Sequence, residues 1–340
     1  MKKIHFTKNQ KPLLVAEISA NHCGSKKSFL NHIKVAHNCG ADLVKIQTYE
    51  PQDITLKTKA DNFKIKTGIW KNKYLWELYE KAQTPYDWHY DAFKLAKKNG
   101  INLFSTPFSV KAVDFLEKFN VPLYKVSSLE MNDFNLLSKI AKTKKYIIIS
   151  TGAGEIKDIK KVLNFINRYH NKVVVLHCVS SYPTNLEHAN IARIKDLQKK
   201  FKNNLIGLSD HTSSIFSSLS SIPLGCVIIE KHFKINDKVK SEDSSFSLNQ
   251  NDFRKLVEYR DLIYKSLYAK DIKKNDSLKS LKRSLFSLKE ILPNEKLTKK
   301  NIISLRPKLG IDSSQYFKVI GKKAKKKISK NMPIYSKDIS

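Results

Sequence analysis

Leu205-Ile206-Gly207-Leu208-Ser209-Asp210-His211-Thr212 starts as an apolar run and ends in groups that a hydrophobic core cannot use. A run this short, bounded by polar residues, reads as a buried strand. Its end supplies an imidazole, a carboxylate and hydroxyls, which together suit a metal or an anion. Cys226-Val227-Ile228-Ile229-Glu230-Lys231-His232 is built the same way. Working outward, residues 13–18, 43–47, 101–105, 122–126, 146–150 and 172–177 read as six further strands. Helical spacing lies between them: Phe29, Leu30, Ile33 and Ala36, then residues 87–99, 156–169 and 251–268. Eight strand–helix units within the first 270 residues predict an α/β fold, a parallel (β/α)8 TIM barrel, with a doubly wound sheet as the alternative.

The whole chain has 340 residues, enough for such a barrel and a small second domain. Residues 1–270 form the expected barrel domain, and Lys/Ser/Asp-rich residues 271–283 a linker. Residues 284–340, short strands punctuated by Pro293, Pro307 and Pro333, form the second domain. No apolar run approaches the ~20 residues of a membrane span. Four scattered cysteines without metal-like spacing, and no apolar leader, point to a reducing cytoplasm. The net charge of +32 raises nucleic-acid binding, but the lysines are spread along the chain without an interleaved aromatic stripe. A solvated lysine-rich surface is the preferred reading, with no nucleic-acid partner expected.

Glycine is scarce, 10 in all. Gly40 and Gly100 each follow a helical pattern, where a left-handed cap needs glycine. Gly152, Gly154 and Gly207 sit at strand ends among polar residues, where backbone can approach a ligand closely. Residues 49–85 form an excursion longer than ordinary connections, which marks it as functional.

The expected strands share polar ends: Glu17, Lys45 with Gln47, Ser105-Thr106, Lys125 with Ser128 and Glu130, Ser150-Thr151, His177, Ser209-Asp210-His211, and Glu230 with His232. In a (β/α)8 barrel these ends converge on one mouth, where such enzymes keep their chemistry. One buried lysine on a strand is usually a paired structural residue. Two on separate strands, with hydroxyls nearby, read as an anion clamp. His211 and His232 at neighbouring strand ends read as metal ligands that leave several positions open. That pattern suits a divalent cation such as Mn2+, Mg2+ or Co2+ rather than a closed structural zinc site.

Together these motifs resemble the sialic acid synthase family. The resemblance rests on Glu17-Ile18-Ser19-Ala20-Asn21-His22, Val44-Lys45-Ile46-Gln47-Thr48 and Phe104-Ser105-Thr106-Pro107-Phe108. It continues through Tyr124-Lys125-Val126, Ser150-Thr151-Gly152, Leu208 to Thr212 and Glu230-Lys231-His232-Phe233. Ser304-Leu305-Arg306-Pro307 is similar to that family's antifreeze-like (SAF) C-terminal domain. Gly68-Ile69-Trp70, Leu75 to Lys81, Thr84 to His89 and Asp243 to Leu248 look most like the family's pseudaminate branch. Cys23, Ser180, Lys240-Ser241-Glu242 and Lys308 depart from the family pattern.

The resemblance implies a transferase reaction. Phosphoenolpyruvate condenses with the open-chain aldehyde of 2,4-diacetamido-2,4,6-trideoxy-L-altrose. It implies Lys45, Lys125, Ser128, Ser150 and Ser209 around phosphoenolpyruvate, with Asn21, Gln47, Thr106, Ser180 and Tyr182 among the substrate contacts. It implies Glu130 for proton transfer, and catalytic roles for Asp210, His211 and His232. Asp243 would contact the sugar or metal-bound water, and Arg306 would reach the partner's site in a homodimer. Three alternatives stay open: the same chemistry on a neuraminic or legionaminic precursor, a Schiff-base aldolase using Lys45 or Lys125, and a non-catalytic basic binding protein.

Overall fold

The computed structural model describes residues 4–269 and 276–340 and divides into two compact units, Met1–Tyr268 and Ala269–Ser340. The first unit alternates strand and helix: β1 (Leu13–Glu17), α1 (Lys26–Asn38), β2 (Leu43–Thr48), α2 (Leu75–Ala82), α3 (Tyr86–Asn99), β3 (Leu103–Pro107), α4 (Val110–Glu117) and β4 (Leu123–Val126). It continues with α5 (Phe134–Lys142), β5 (Tyr146–Ser150), α6 (Ile156–Ile166), β6 (Val173–Cys178), α7 (Arg193–Lys200), β7 (Leu205–Asp210), α8 (Phe216–Ser221), β8 (Ile228–His232) and α9 (Gln250–Leu267). The eight strands pair in sequence, all parallel, and β8 closes on β1 with His232 opposite Glu17. The doubly wound alternative is thereby excluded.

Strand side chains alternate between the barrel interior and the helix layer. One buried cluster fills the interior: Phe6, Val15, Leu43, Phe104, Leu123, Ile148, Val174, Leu176 and Ile228. Two residues further along the strands the interior turns polar, at Glu17, Lys45, Thr106, Lys125, Ser150, Cys178, Ser209 and Glu230. The apolar layers are therefore the floor on which a polar layer stands. Gly207 belongs to that floor. A Cβ there would lie 2.5 Å from the Ile228 carbonyl oxygen, so strands β7 and β8 approach as they do only with glycine. A larger cluster, including Phe29, Ile33, Leu116, Leu137, Leu163, Leu197 and Phe253, seals the helices onto the outside of the strands.

Local sequence explains most helix ends. Asp133 and Asn249 cap α5 and α9 through their side chains. Gly100 ends α3 with φ +67°, a left-handed conformation that β-carbons disfavour. The excursion over residues 49–85 contains α2 and two short 3-10 turns, Pro51–Asp53 and Asp61–Phe63.

Buried histidines brace this shell. His22 packs edge-on against Phe29 and Trp88, and His89 bonds to Thr48 Oγ1 at 2.8 Å and the Pro85 carbonyl at 3.1 Å. Burial pushes both imidazoles down from 6.5 to about 4. The folded state therefore holds them neutral while the unfolded chain protonates below pH 6.5. Their contribution to stability is lost as pH falls from 6.5 towards 4. Burial raises Glu130 to about 7, which works in the opposite direction over the same window, so the net curve mixes signs. A variant isolates one group. His89→Gln is expected to lose roughly 2–3 kcal/mol less than the native chain between pH 7.5 and 4.5. Denaturant titrations that run parallel for the two proteins over that range would contradict this.

The second unit is small. Strands β9 (Ser284–Ser287) and β10 (Ile302–Leu305) pair antiparallel over a core of Leu285, Ile291, Leu297, Ile302, Val319 and Ile334. Of the expected linker, residues 271–275 lie outside the described residues, and Asp276–Ser280 forms a helical turn. Among the described residues no helix is long and apolar enough to cross a membrane.

Candidate active site

The polar layer at the carboxyl ends of the strands lines one cavity of about 70 Å3. Lys45, Gln47, Thr106, Lys125, Ser128, Ser150, Tyr182, Ser209, His211 and His232, all expected from sequence, line it together. Cys178, Ser127, Phe108 and Glu230 complete the wall.

Two lysines and two glutamates form its electrostatic centre. Lys45 Nζ lies 2.6 Å from Glu17 and 3.4 Å from Glu230, while Lys125 Nζ lies 2.9 Å from Glu230. All four side chains are at most 5% exposed. Burial favours the neutral form of each, and the neighbours decide the outcome. For Glu230, burial is overcome by Lys125 and Lys45, which hold its carboxyl far below the usual range. For Glu17, burial prevails over Lys45, and the charge of Glu230 adds to it, so its carboxyl is raised. For Lys45, burial is outweighed by its two carboxylates, and the ammonium is reinforced. For Lys125, burial prevails and the ammonium is weakened. Two positive and two formally negative groups thus nearly cancel, in a space smaller than a phosphorylated three-carbon acid. An entering anion must compete with Glu230 for the lysines.

Hydroxyls surround these charges. Lys45 donates to Thr106 Oγ1 at 3.0 Å, and Ser209 donates to Glu230 at 3.1 Å. Ser128 and Ser180 are hydrogen-bonded at 2.7 Å, which brings Ser180 beside the cavity. Ser150 Oγ is buried with no hydrogen-bond partner, a donor held ready for a ligand oxygen.

The two histidines stand on neighbouring strand ends with ring centroids 5.5 Å apart. His211 Nδ1 lies 3.0 Å from the Val179 carbonyl, which leaves Nε2 as the lone-pair nitrogen. His232 Nδ1 is buried without a partner. Among the described residues no group of three or more His, Cys, Asp or Glu is arranged to hold a metal ion. Two imidazoles alone fit a cation that keeps water in its remaining positions and accepts a substrate oxygen. Phe246 and Tyr182 wall the pair, with Phe246 4.8 Å from His232 and Tyr182 4.4 Å from His211.

Five expected site residues lie elsewhere. Asp210, expected as a catalytic carboxylate, is on the opposite side of β7 from Ser209 and His211. It pairs with Lys231 at 3.0 Å and accepts from Ser218 Oγ and the Thr212 amide. A buried carboxylate between two inward residues has to point into the helix layer, and there it ties β7 to β8. Asn21 is spent on structure, donating to the Phe233 carbonyl and Ser247 and accepting from Ser241. Asp243 accepts from Ser19 and the Ala20 amide, and Ser19 in turn accepts from Gln47 at 3.0 Å, so Asp243 borders the cavity through two hydrogen bonds. Burial raises its carboxyl. Glu130 accepts from Ser127, a cavity residue, and stands one step behind the wall. Arg306 is exposed on the second unit.

Glu17 and Glu230 were expected among the polar strand ends at the mouth but without a role in the site, and Cys178 was not expected there. Two buried lysines demand nearby carboxylates, and stepping by two from Leu176 reaches Cys178, so both signals were available. Trp70, part of a family-like stretch in the sequence, gave no signal of its partners. It packs 5.4 Å from Tyr182 and donates to the Glu242 carbonyl at 3.0 Å, which brings the long excursion to the Tyr182–Phe246 wall.

Comparisons with known proteins agree with this architecture. The chain is 39% identical over 328 residues to a pseudaminic acid synthase of Campylobacter jejuni, covering 95% of both chains. It is 37% identical over 335 residues to a pseudaminic acid synthase of Helicobacter pylori, covering 97% of this chain and 98% of that one. A solved N-acetylneuraminic acid (sialic acid) synthetase from Leptospira borgpetersenii superimposes with a TM-score of 0.72 at 25% identity, over 82% of this chain and 93% of that one. The model of the NeuB family matches residues 32–271. The chain belongs to the NeuB family.

Proposed function

We infer that this protein is a pseudaminic acid synthase, a transferase that joins phosphoenolpyruvate to 2,4-diacetamido-2,4,6-trideoxy-L-altrose and releases phosphate. One water is consumed. The observation that carries this reading is the set of two buried lysines and two imidazoles around one cavity at the mouth of a barrel. The identity to the two pseudaminic acid synthases selects the sugar within the family.

The residues divide the work. Lys45, Lys125, Ser128, Ser150, Ser180 and Ser209 bind the phosphate and carboxylate of phosphoenolpyruvate, with Thr106 holding the Lys45 ammonium in place. The divalent cation expected on His211 and His232 supplies polarisation of the sugar's aldehyde. Glu130, raised to about 7 by burial, titrates near neutral pH, as a group that gives and takes a proton must. Gln47 and Asp243 edge the sugar side of the cavity through Ser19. Formation of the C–C bond then leaves charge on the former aldehyde oxygen, in a site from which bulk water is excluded.

The second unit is read as an antifreeze-like (SAF) domain that covers the partner's mouth in a homodimer, with Arg306 contacting an acyl group there. Mixing Arg306→Ala chains with His211→Ala chains is then expected to recover part of the native activity. Stable heterodimers without recovery would remove Arg306 from the site.

Gly152 makes a sharper test of the anion site. A Cβ there would stand 2.2 Å from Ser180 Oγ and 3.0 Å from Ser180 N and Cys178 Sγ. Gly152→Ala must displace the Ser180 hydroxyl from Ser128. It is expected to raise the KM for phosphoenolpyruvate about tenfold, the worth of one hydrogen bond to a charged group. An unchanged KM would place the phosphate elsewhere.

The reaction itself is tested with purified protein, phosphoenolpyruvate and a divalent cation. The diacetamido-L-altrose, the legionaminic precursor and N-acetylmannosamine are supplied in turn, and products are identified by mass spectrometry. Phosphate release with the L-altrose sugar, and no borohydride-trapped intermediate, is the expected result. Preferred turnover of another sugar would overturn the substrate, and no turnover of any would overturn the reading.

A further inference from the structure

A second cavity, of about 940 Å3, opens at the other end of the barrel, where the strands begin. Lys94 and Lys97 of α3, Lys118 after α4, Lys144 and Lys145 before β5, and Lys172 before β6 line it, and no aspartate or glutamate does. Of these lysines, among the described residues, only Lys145 has a carboxylate within ion-pair distance, Glu117 at 2.6 Å. Lys144 and Lys172 are instead anchored on carbonyl oxygens, of Tyr169 at 2.5 Å and of Lys144 at 3.2 Å. Lys118 lies over the Phe115 ring at 5.8 Å. The carbonyl and ring contacts bring no opposing formal charge, so most of the lysines face one concavity without an ion-pair partner among the described residues. Such an arrangement costs self-repulsion that a bound polyanion removes.

The walls add a second kind of chemistry. Phe93 and Phe119 stack at 4.5 Å with planes 13° apart, and Tyr90 packs on Phe119 at 5.1 Å. Tyr90 is 53% exposed at this rim. An exposed aromatic ring next to concentrated positive charge matches a planar base joined to phosphates. The volume suits a ligand of that size.

We propose that this cavity is a nucleoside polyphosphate site, separate from the mouth where phosphoenolpyruvate is bound. The phosphates lie among the lysines and the base lies on Tyr90. Lys94 lies within α3, the other five lysines lie at or beside the ends of barrel-wall elements, and none belongs to the polar layer at the mouth.

The test is calorimetry on the full chain at physiological ionic strength, with ATP, tripolyphosphate and a dT20 oligonucleotide as probes. The expected result is saturable, one-to-one ATP binding that survives in Lys125→Met. The double variant Lys94→Glu/Lys118→Glu should weaken ATP and tripolyphosphate at least tenfold. Tyr90→Ala should weaken ATP severalfold and leave tripolyphosphate unchanged. All these residues lie far along the chain fold from the mouth, so turnover in the double variant should remain native, which reports its folding. Absence of saturable ATP binding would overturn the proposal. So would equal affinity for ATP and tripolyphosphate, which would mean a plain anion patch. Binding lost in Lys125→Met but kept in the double variant would put the nucleotide at the mouth. Tighter binding of dT20 with a steep salt dependence would make this a nucleic-acid surface instead.

Discussion

Alanine in place of His211 or His232 is expected to lower turnover by a hundredfold or more, the scale of several kcal/mol that a bound cation contributes to a developing oxyanion. The fold should survive. Both rings sit at the ends of strands, on top of an apolar floor that neither helps to build. Truncating them leaves the Asp210–Lys231 pair between β7 and β8 untouched. The measurements are kcat with saturating divalent cation, circular dichroism, and metal content after dialysis against each cation. Loss of bound metal with retained ellipticity is the expected pattern. A double variant that keeps near-native kcat after chelator treatment would show that the imidazoles serve the substrate directly.

Most of the barrel was legible because each strand carries its own switch from apolar to polar. Val15 to Glu17, Leu43 to Lys45, Leu123 to Lys125 and Ile228 to Glu230 each show it within three residues. A period of two then tells which residues share the interior. That same count puts Asp210 outside, between Ser209 and His211, and applying it strictly would have removed Asp210 from the candidate site. Asn21 was not open to such a correction. Its position after β1 is close enough to the mouth for a substrate contact, and only the arrival of Phe233, Ser241 and Ser247 from far along the chain uses up its amide. The same holds for Trp70, whose partners Tyr182 and Glu242 lie over a hundred residues away. Long-range packing of connections has no period to read.

Lys125→Met is expected to weaken phosphoenolpyruvate binding by ten- to a hundredfold, the worth of about one charged hydrogen bond in a buried site. The same change carries a structural cost that must be separated from the functional one. Glu230 would keep Lys45 at 3.4 Å and the Ser209 hydroxyl, but lose its 2.9 Å partner, leaving a buried carboxylate undercompensated. Breaking one side of a buried pair typically destabilises by about 3–5 kcal/mol. Adding Glu230→Gln removes that excess charge. The double variant should therefore recover much of the lost stability while phosphoenolpyruvate affinity stays low. Calorimetric binding and denaturant midpoints on the three proteins read the two effects apart. If affinity returned together with stability, Lys125 would be a counter-ion to Glu230 and nothing more. The phosphate would then rest on Lys45 and the hydroxyls of Ser128, Ser150 and Ser209.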